Sequence, residues 1–263
     1  MNTGIFLWFG YDVPAKDRLK TIAEAGFQNI CIWWGDQYKN AAGPKEEIPD
    51  LARSYGLQVE NIHTDYESTH LIWTDKLGWE DVVKRYLKNV DDCYNNEIET
   101  MVLHLTDRGN QPEPNDLGVD RLKRIVDLAE RRGVNIAIEN LRKSEYLSFV
   151  FDKINSNKLK FCYDSGHENI FSKNGYLLDK FGNKLICLHL HDNDGTSDQH
   201  RIPGEGTIDW SNICKKLRDN DYKGSITLEV TNEFSDKYKF YSYDKFLFEA
   251  FKKASDIYNG VHK

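Results

Sequence analysis

Short β-rich runs alternate regularly with amphipathic helical segments along this chain, and that alternation restricts the possible folds more than any other feature of the sequence. Eight runs of each kind follow one another through the 263 residues. In the segment from Asp116 to Arg132, for example, Leu122, Ile125, Val126 and Ala129 recur close to three and four positions apart, which predicts a helix. The predicted strands are Gly4–Phe9, Asn29–Trp34, Gln58–His63, Thr100–Leu105, Asn135–Glu139, Lys160–Asp164, Leu185–His191 and Ser225–Val230.

Glycines mark the ends of several predicted helices. Gly26, Gly56 and Gly133 each stand shortly before a predicted strand, where a left-handed C-cap is expected. No linker rich in Pro, Gly or Ser and no change of composition divides the chain, so residues 1–263 are predicted to form one domain. Eight βα units in one α/β domain of this length predict a (β/α)8 TIM barrel, and an open doubly wound sheet is the weaker alternative.

The connections between the predicted elements fall into two classes of different length. Those from helix to strand are short. Three connections from strand to helix are long and rich in polar and aromatic residues: Thr64–Gly78, Thr106–Asn115 and Asp192–Ile208. In a TIM barrel the strand-to-helix connections build the active site at the C-terminal face of the strands. That face is therefore where we expect the functional residues.

Composition narrows the classes of protein to consider. No apolar run approaches the roughly 20 residues of a membrane span and no signal-type segment is recognised, so we expect a cytoplasmic protein without a membrane partner. The five cysteines are scattered without a Cys-x-x-Cys pair, which predicts buried free thiols rather than disulfides or a thiolate zinc site. A formal net charge of −7 gives no overall attraction to phosphate backbones and disfavours nucleic acid as a partner.

Histidines and acidic residues gather at the predicted C-terminal face. Glu139, Asp164 and Glu229 lie at the ends of the fifth, sixth and eighth predicted strands, where a carboxylate is costly unless a cation or hydrogen bonds compensate it. Any one histidine at a strand end is more often structural than a ligand, but together with three carboxylates the group predicts a divalent metal site. Six of the eight histidines lie at or just beyond strand ends: His63, His104, His167, His189, His191 and His200.

These residues make the chain resemble the xylose-isomerase-like barrels, a superfamily that contains sugar isomerases, ketose 3-epimerases and endonuclease IV. The resemblance covers most of the chain. The motifs that carry it are Glu139-Asn140, Asp164-Ser165-Gly166-His167, the block from His189 to Asp194, the stretch from Asp198 to Gly206, and Leu228-Glu229.

In the epimerases of this superfamily, two glutamates, one aspartate and one histidine hold a single divalent metal ion. The resemblance assigns these roles to Glu139, Asp164, Glu229 and either His189 or His191. The sequence does not choose between the two histidines because both have the same strand parity.

The resemblance also suggests residues that bind the substrate. Glu145 stands six residues after the first metal glutamate, where the epimerases have a sugar-binding glutamate, and His167 matches a histidine that contacts the substrate. The family arginine that precedes the Pro-Gly-x-Gly turn is replaced here by His200, with Arg201 adjacent. We expect the turn from Asp198 to Gly206 to cover the substrate and to present His200 or Arg201 to it.

Endonuclease IV is the competing comparison because it binds three zinc ions through nine ligands. Its glycine-alanine-histidine-valine-serine opening is absent from this chain, and the long loops carry no dense Lys/Arg cluster that would bind a DNA backbone. Each of the nine ligands nevertheless has a counterpart in this chain: His63, His104, Glu139, Asp164, His167, His189, Asp198, His200 and Glu229.

The sequence therefore predicts a metal-dependent isomerase or epimerase that acts on a small sugar or sugar phosphate and uses manganese, cobalt, magnesium or zinc. In this hypothesis Glu139 and Glu229, three strands apart on the closed ring, move a proton next to a carbonyl through a metal-stabilised enediolate. The alternative is a phosphodiesterase that cleaves abasic-site DNA, and a non-catalytic sugar-binding barrel is third. The sequence leaves open whether the sugar is phosphorylated, whether one or three ions bind, and whether the chain forms a homo-oligomer.

Overall fold

The computed structural model describes residues 1–36, 43–107, 109, 111–172 and 176–262. The strands follow the chain order around one parallel sheet, and the last strand pairs with the first. The described strands are β1 Thr3–Phe6, β2 Asn29–Trp33, β3 Gln58–His63, β4 Thr100–Leu103, β5 Asn135–Glu139, β6 Leu159–Asp164, β7 Leu185–His189 and β8 Ile226–Leu228.

The sheet closes into a barrel between β7 and β8. Leu190, just beyond β7, forms a parallel bridge with Leu228. Its backbone N–H donates to Thr227 O at 3.0 Å, and its carbonyl accepts from Glu229 N at 3.0 Å. These bonds confirm the predicted TIM barrel. They also bring the ends of β7 and β8, which carry His189 and Glu229, next to each other.

Helices surround the barrel and pack their apolar faces on it. The helix predicted over Asp116–Arg132 has those bounds in the structure, and the glycines after α1 and α4, Gly26 and Gly133, have left-handed backbone with φ of 107° and 73°. Gly56 has φ of 78° one residue beyond the C-cap of α2. The α-helices in the described residues are α1 Ala15–Ala25, α2 Ile48–Ser54, α3 Trp79–Asn95, α4 Asp116–Arg132, α5 Glu145–Lys153, α6 Ser165–Phe171, α7 Tyr176–Phe181, α8 Trp210–Asp219 and α9 Tyr243–His262.

The connection between β6 and β7 departs from the simple βα alternation. It holds two short helices, α6 and α7, where the pattern predicts one, and residues 173–175 between them lie outside the described residues. Residues 108 and 110 of the predicted long loop after β4 also lie outside. In the described part of the chain, no helix is both long enough and apolar enough to cross a membrane.

Small buried side chains pack together inside the barrel, among them Val102, Ala137, Cys162 and Cys187. All five cysteines of the chain are buried and free, where the sequence predicts burial for most of them. The register between β2 and β3 shifts: Ile30 pairs with Val59 but Cys31 pairs with Asn61, which leaves Glu60 as a bulge residue. The Glu60 carboxyl accepts a hydrogen bond from the hydroxyl of Thr227 on β8, a strand that is not its neighbour in the sheet.

Candidate metal centre and active site

A cavity of about 880 Å³ opens at the C-terminal face of the barrel. Three further predicted site residues, Asp164, His189 and His191, are fully buried behind its wall. Seven predicted site residues line the cavity itself: His63, His104, Glu139, His167, Asp198, His200 and Glu229.

Glu139, at the end of β5, is the centre of this cluster. Its carboxylate is 2% exposed and is surrounded by four imidazoles. Oε2 lies 3.0 Å from His189 Nδ1, 3.2 Å from His63 Nε2 and 3.4 Å from His104 Nε2. Oε1 lies 3.0 Å from His167 Nδ1. A buried carboxylate beside so many nitrogen donors matches the chemistry of a metal ligand.

Asp164 ends β6 and is held by its neighbours on both sides. Its backbone exchanges two hydrogen bonds of 2.8 Å with the side-chain amide of Asn140, which explains the Glu139-Asn140 motif. Its Oδ1 accepts from His167 N at 2.6 Å, capping α6, and lies 3.2 Å from His191 Nε2. Gly166 makes room for that ring, because a Cβ there would lie 1.9 Å from His191 Cε1.

Glu229 follows β8 and faces the same imidazole as Glu139. Its Oε2 lies 3.0 Å from His189 Nδ1, without the geometry of a hydrogen bond. The two glutamates therefore converge on one nitrogen of His189. On the far edge of this ring, Nε2 lies 3.9 Å from the sulfur of Cys31.

The loop after β7 brings Asp198 and His200 to the cavity. Asp198 Oδ1 lies 3.2 Å from His200 Nε2 and 3.5 Å from His191 Nε2, and the rings of His191 and His200 stack with centroids 4.1 Å apart. The buried carboxylate of Asp192 fixes the loop by accepting from Gly204 N at 2.8 Å, from Trp210 Nε1 at 2.8 Å and from two further backbone N–H groups.

Charge interactions keep the carboxylates of Glu139 and Glu229 ionised. Burial alone would raise the pKa of Glu229, but His189 and His200 outweigh it and hold the pKa at about 2. Burial would likewise raise the pKa of Glu139, yet the histidines around it, chiefly His104 and His189, lower it well below its usual range. Burial disfavours protonation of His200, but Asp198 outweighs it and raises the imidazole pKa to about 9.

The hydrogen bonds of the outer nitrogens fit a bound cation. His63 donates from Nδ1 to Thr64 O at 3.0 Å, and His200 donates from Nδ1 to Glu229 O at 2.8 Å. Both imidazoles therefore point Nε2 at a carboxylate, Glu139 or Asp198. Metal-bound histidines show this arrangement, in which the distal N–H is fixed by a carbonyl.

Unsatisfied polar atoms give a second test of the fit. Buried polar atoms are nearly always hydrogen-bonded in proteins, so several unpaired ones at one place need a partner. Groups of three side chains within this cluster have ligand atoms within 4.8 Å of one another. The donor set thus fits a divalent cation. The buried atoms without a hydrogen bond here are His104 Nε2, Asp164 Oδ2, His167 Nδ1, His191 Nδ1 and Nε2, Asp198 Oδ1 and Glu229 Oε2.

The structure separates His189 from His191, which the sequence left as alternatives. His189 contacts Glu139 and Glu229, whereas His191 contacts Asp164 and Asp198. Both histidines point inward, as their shared parity predicts, but they serve different parts of the cluster.

Two residues that the resemblance suggested for substrate binding are not brought to the cavity. Glu145 begins α5, is exposed, and is absent from the residues that line the cavity. Arg201 is directed away from the cavity: its guanidinium lies 3.5 Å from Asp194 and donates to Glu205 O. Of the two candidates in this turn, only His200 therefore lines the cavity.

The outer wall of the cavity contains aromatic and charged residues besides the predicted site residues; of the four tryptophans that the sequence offers as the floor of a sugar pocket or as core, two lie in this wall. Trp8 and Trp33 line it, while Trp34 and Trp73 are buried elsewhere, and Tyr66 stacks on His104 with ring centroids 4.7 Å apart. Their positions in the sequence could have indicated this role: Tyr66 lies in the long loop after β3, and Trp8 and Trp33 lie beside the ends of β1 and β2. The charged residues of the outer wall are Asp65, Glu67, Asp107, Arg142 and Glu233.

Comparison with known proteins identifies the family. The xylose isomerase-like TIM barrel family matches residues 19–239. The chain belongs to this family. Among known relatives, the fructoselysine 3-epimerase of Escherichia coli O157:H7 is 25% identical over 268 positions that cover 92% of this chain and 94% of the relative. The D-psicose 3-epimerase of Agrobacterium fabrum is 31% identical over 126 positions, which cover 43% of this chain and 40% of that protein.

Solved structures share the fold. The D-psicose 3-epimerase of Clostridium cellulolyticum H10, crystallised with D-tagatose, superposes with a TM-score of 0.80 at 17% identity, and the match covers 100% of both chains. The IOLI protein, crystallised with a zinc atom, superposes with a TM-score of 0.76 at 17% identity over 99% of this chain and 98% of the other.

Proposed function

We propose that this protein is a divalent-metal-dependent epimerase or isomerase of an unphosphorylated ketose. The observation that carries the proposal is the convergence of two ionised glutamates on one side of His189. Glu139 and Glu229 each place a carboxylate oxygen 3.0 Å from its Nδ1, at the wall of an open cavity. The relatives named as fructoselysine 3-epimerase and D-psicose 3-epimerase support this class of reaction.

Glu139, Asp164, His189 and Glu229 would hold the cation. When bound, a divalent cation supplies positive charge beside the substrate carbonyl, which makes the neighbouring carbon more acidic. The mixture of imidazole and carboxylate suits manganese, cobalt or zinc better than magnesium, which prefers an all-oxygen shell.

The two glutamates would also transfer the proton. One carboxylate accepts the proton from the carbon next to the carbonyl; the electrons of that C–H bond form a carbon–carbon double bond, and the carbonyl π electrons move to the oxygen to give an enediolate. The other carboxylate takes up a proton from solvent and delivers it to the opposite face of the carbon, which inverts it, and the first carboxylate releases its proton to solvent. Both residues are ionised at neutral pH because the histidines lower their pKa values, so either can be the base. His167 and His200 line the same cavity and would orient the sugar hydroxyls.

The charge of the outer wall argues against a phosphorylated substrate. Asp65, Glu67, Asp107 and Glu233 face the cavity there, and among the described lining residues Arg142 is the only lysine or arginine. Among the described residues, a phosphate dianion at this outer wall would meet four carboxylates and one guanidinium, that of Arg142. We therefore favour a neutral sugar.

An endonuclease IV-like phosphodiesterase is the second candidate. Counterparts of all nine zinc ligands of that enzyme lie in the cluster, which is the observation that favours it. The acidic outer wall weighs against it because a DNA backbone needs cationic contacts. The two candidates differ in metal content, with one ion per chain for the first and three for the second.

The proposed function can be tested with a panel of ketoses and a single isotope measurement. Metal-stripped protein, reloaded with Mn²⁺, Co²⁺ or Zn²⁺, should interconvert at least one pair of ketose epimers or isomers and should place solvent deuterium on the carbon next to the carbonyl. The phosphorylated forms of the same sugars should react more slowly. Absence of exchange with every ketose, together with metal-dependent nicking of abasic-site DNA, would favour the phosphodiesterase.

Three amide variants separate ligation from proton transfer. Glutamine keeps an oxygen donor but cannot accept a proton at neutral pH, so at least one of Glu139→Gln and Glu229→Gln should stay inactive at saturating metal. Glu145→Gln is the matched control because Glu145 is exposed and away from the cavity. Recovery of full activity by excess metal in both variants would restrict the glutamates to ligand roles.

A further inference from the structure

The two ring nitrogens of His189 have different neighbours. The ring is fully buried, and Nδ1 faces the two glutamates of the proposed metal centre. Nε2 faces the inside of the barrel, where the sulfur of Cys31 lies 3.9 Å away. A second thiol, that of Cys162 on β6, also interacts electrostatically with this imidazole.

A neutral imidazole has only one N–H, so its position decides whether Nδ1 can bind a cation. Nδ1 offers its lone pair to the metal only when the proton is on Nε2. In two other histidines of the cluster a backbone carbonyl accepts the N–H and so fixes its position on the ring. His63 donates to Thr64 O, and His200 donates to Glu229 O. At His189 the atom in the equivalent place is sulfur.

We propose that Cys31 is a positioning residue for the metal centre: when a cation takes the place of the Nδ1 proton that now donates to Glu139, the sulfur of Cys31 would accept the Nε2–H of His189 and so leave the Nδ1 lone pair free for the cation. The inference rests on the proposed function, because it assumes that His189 binds a cation. Sulfur is a weaker acceptor than the carbonyl or carboxylate that usually supports a metal-bound histidine. Cys31 therefore fixes the tautomer of the ring without strongly raising its basicity.

The position of Cys31 supports this role. It lies on β2 opposite Phe6 of β1, and its side chain is fully buried inside the barrel. The rings of Phe6 and His189 make an edge contact with centroids 6.4 Å apart, so the imidazole contacts Phe6 as well as the sulfur of Cys31. Removal of the sulfur would leave a buried N–H without that acceptor, which favours the other tautomer and puts the proton where the metal binds.

The first test measures metal affinity rather than activity. Metal-free full-length protein is titrated with Zn²⁺ in competition with a chelating dye. Cys31→Ala should bind Zn²⁺ about tenfold more weakly than wild type, the lower end of the loss typical of such supporting residues. Cys31→Ser, which restores an acceptor, should bind within about threefold of wild type. Cys93→Ala is the matched control, since Cys93 is an equally buried thiol on the outer helix α3.

The second test needs no variant. In ¹⁵N-labelled wild-type protein loaded with diamagnetic Zn²⁺, the imidazole nitrogens of His189 should report a protonated Nε2 and a metal-bound Nδ1. A proton on Nδ1, or wild-type affinity in Cys31→Ala, would overturn the role of Cys31. Wild-type protein that binds no Zn²⁺, Mn²⁺ or Co²⁺ would instead refute the metal centre, and with it both proposals.

Discussion

Glu60 gives a prediction about stability that can be worked out from the structure. Its carboxyl group projects from the β3 bulge into the barrel, where burial raises its pKa to about 7 from a usual value of 4.5. The hydroxyl of Thr227 and the charge of His189 favour the ionised form, but they do not outweigh burial. In the folded protein this group therefore holds its proton more tightly than in the unfolded chain.

The sign of the effect follows from this difference in proton binding. Below about pH 4.5 Glu60 is neutral in both states and does not destabilise the fold. As the pH rises from about 4.5 to about 7, the unfolded chain ionises first and stability falls; above that the loss is constant. The full change in pKa corresponds to about 3–4 kcal/mol as an upper bound, since one pKa unit is worth about 1.4 kcal/mol.

Glu60→Gln removes the ionisation and keeps an oxygen that can accept from Thr227. We expect the variant to be about 1–3 kcal/mol more stable than wild type at pH 8 and less than about 1 kcal/mol more stable at pH 5. The assay is urea unfolding at pH 5, 6, 7 and 8 with chelator present, so that the histidine cluster contributes equally to both proteins. A stability difference that does not change with pH, or a loss of stability at every pH, would refute the reasoning.

Three further substitutions test the candidate site. His200→Ala should lower turnover more than about tenfold with little change in melting temperature, because His200 lines the cavity, whereas normal activity with a large drop in melting temperature would make it structural. Gly166→Ala should weaken metal binding without removing any ligand, because a Cβ there overlaps the ring of His191; unchanged affinity in a metal titration would contradict this. Asp192→Asn should cost about 2–4 kcal/mol in urea unfolding, because an amide NH₂ replaces either Oδ2, which accepts from Gly204 N and Trp210 Nε1, or Oδ1, which accepts from two other backbone N–H groups. A loss below about 1 kcal/mol would show that the loop does not depend on this carboxylate.

The parts of the fold that were predictable are those with a local signal. The spacing of apolar residues predicts a helix over Asp116–Arg132, and the helix has these bounds in the structure. The strand predicted over Gln58–His63 likewise begins and ends at the predicted residues. The strand predicted over Gly4–Phe9 ends at Phe6, because the carbonyls beyond it bind the buried guanidinium of Arg18 instead of a neighbouring strand. Apolar residues such as Phe9 remain in the core there, so composition does not show where the ladder ends.

The candidate site was predictable where strand ends determine it. Glu139, Asp164 and Glu229 converge because parallel strands end at one face of the barrel. The position of Glu145 could not be predicted in the same way, since the first turn of α5 can face the cavity or solvent at the same sequence spacing. Cys31 and His189 are 158 residues apart in the sequence, so no local sequence pattern predicts their contact.

The cation ligands and the outer wall of the cavity come from different parts of the chain, which affects how the protein could evolve. Most groups that would hold the cation stand at strand ends, while much of the outer wall comes from Thr64–Gly78 and Thr106–Asn115, segments that supply no member of the cluster. Under the proposed function, mutations in the described outer-wall residues of these two segments would alter the contacts with the substrate more than the chemistry, so substrate preference could drift among descendants that keep one reaction. Grafting either segment from a relative would then be the shortest route by which an engineer could change the sugar that this barrel accepts.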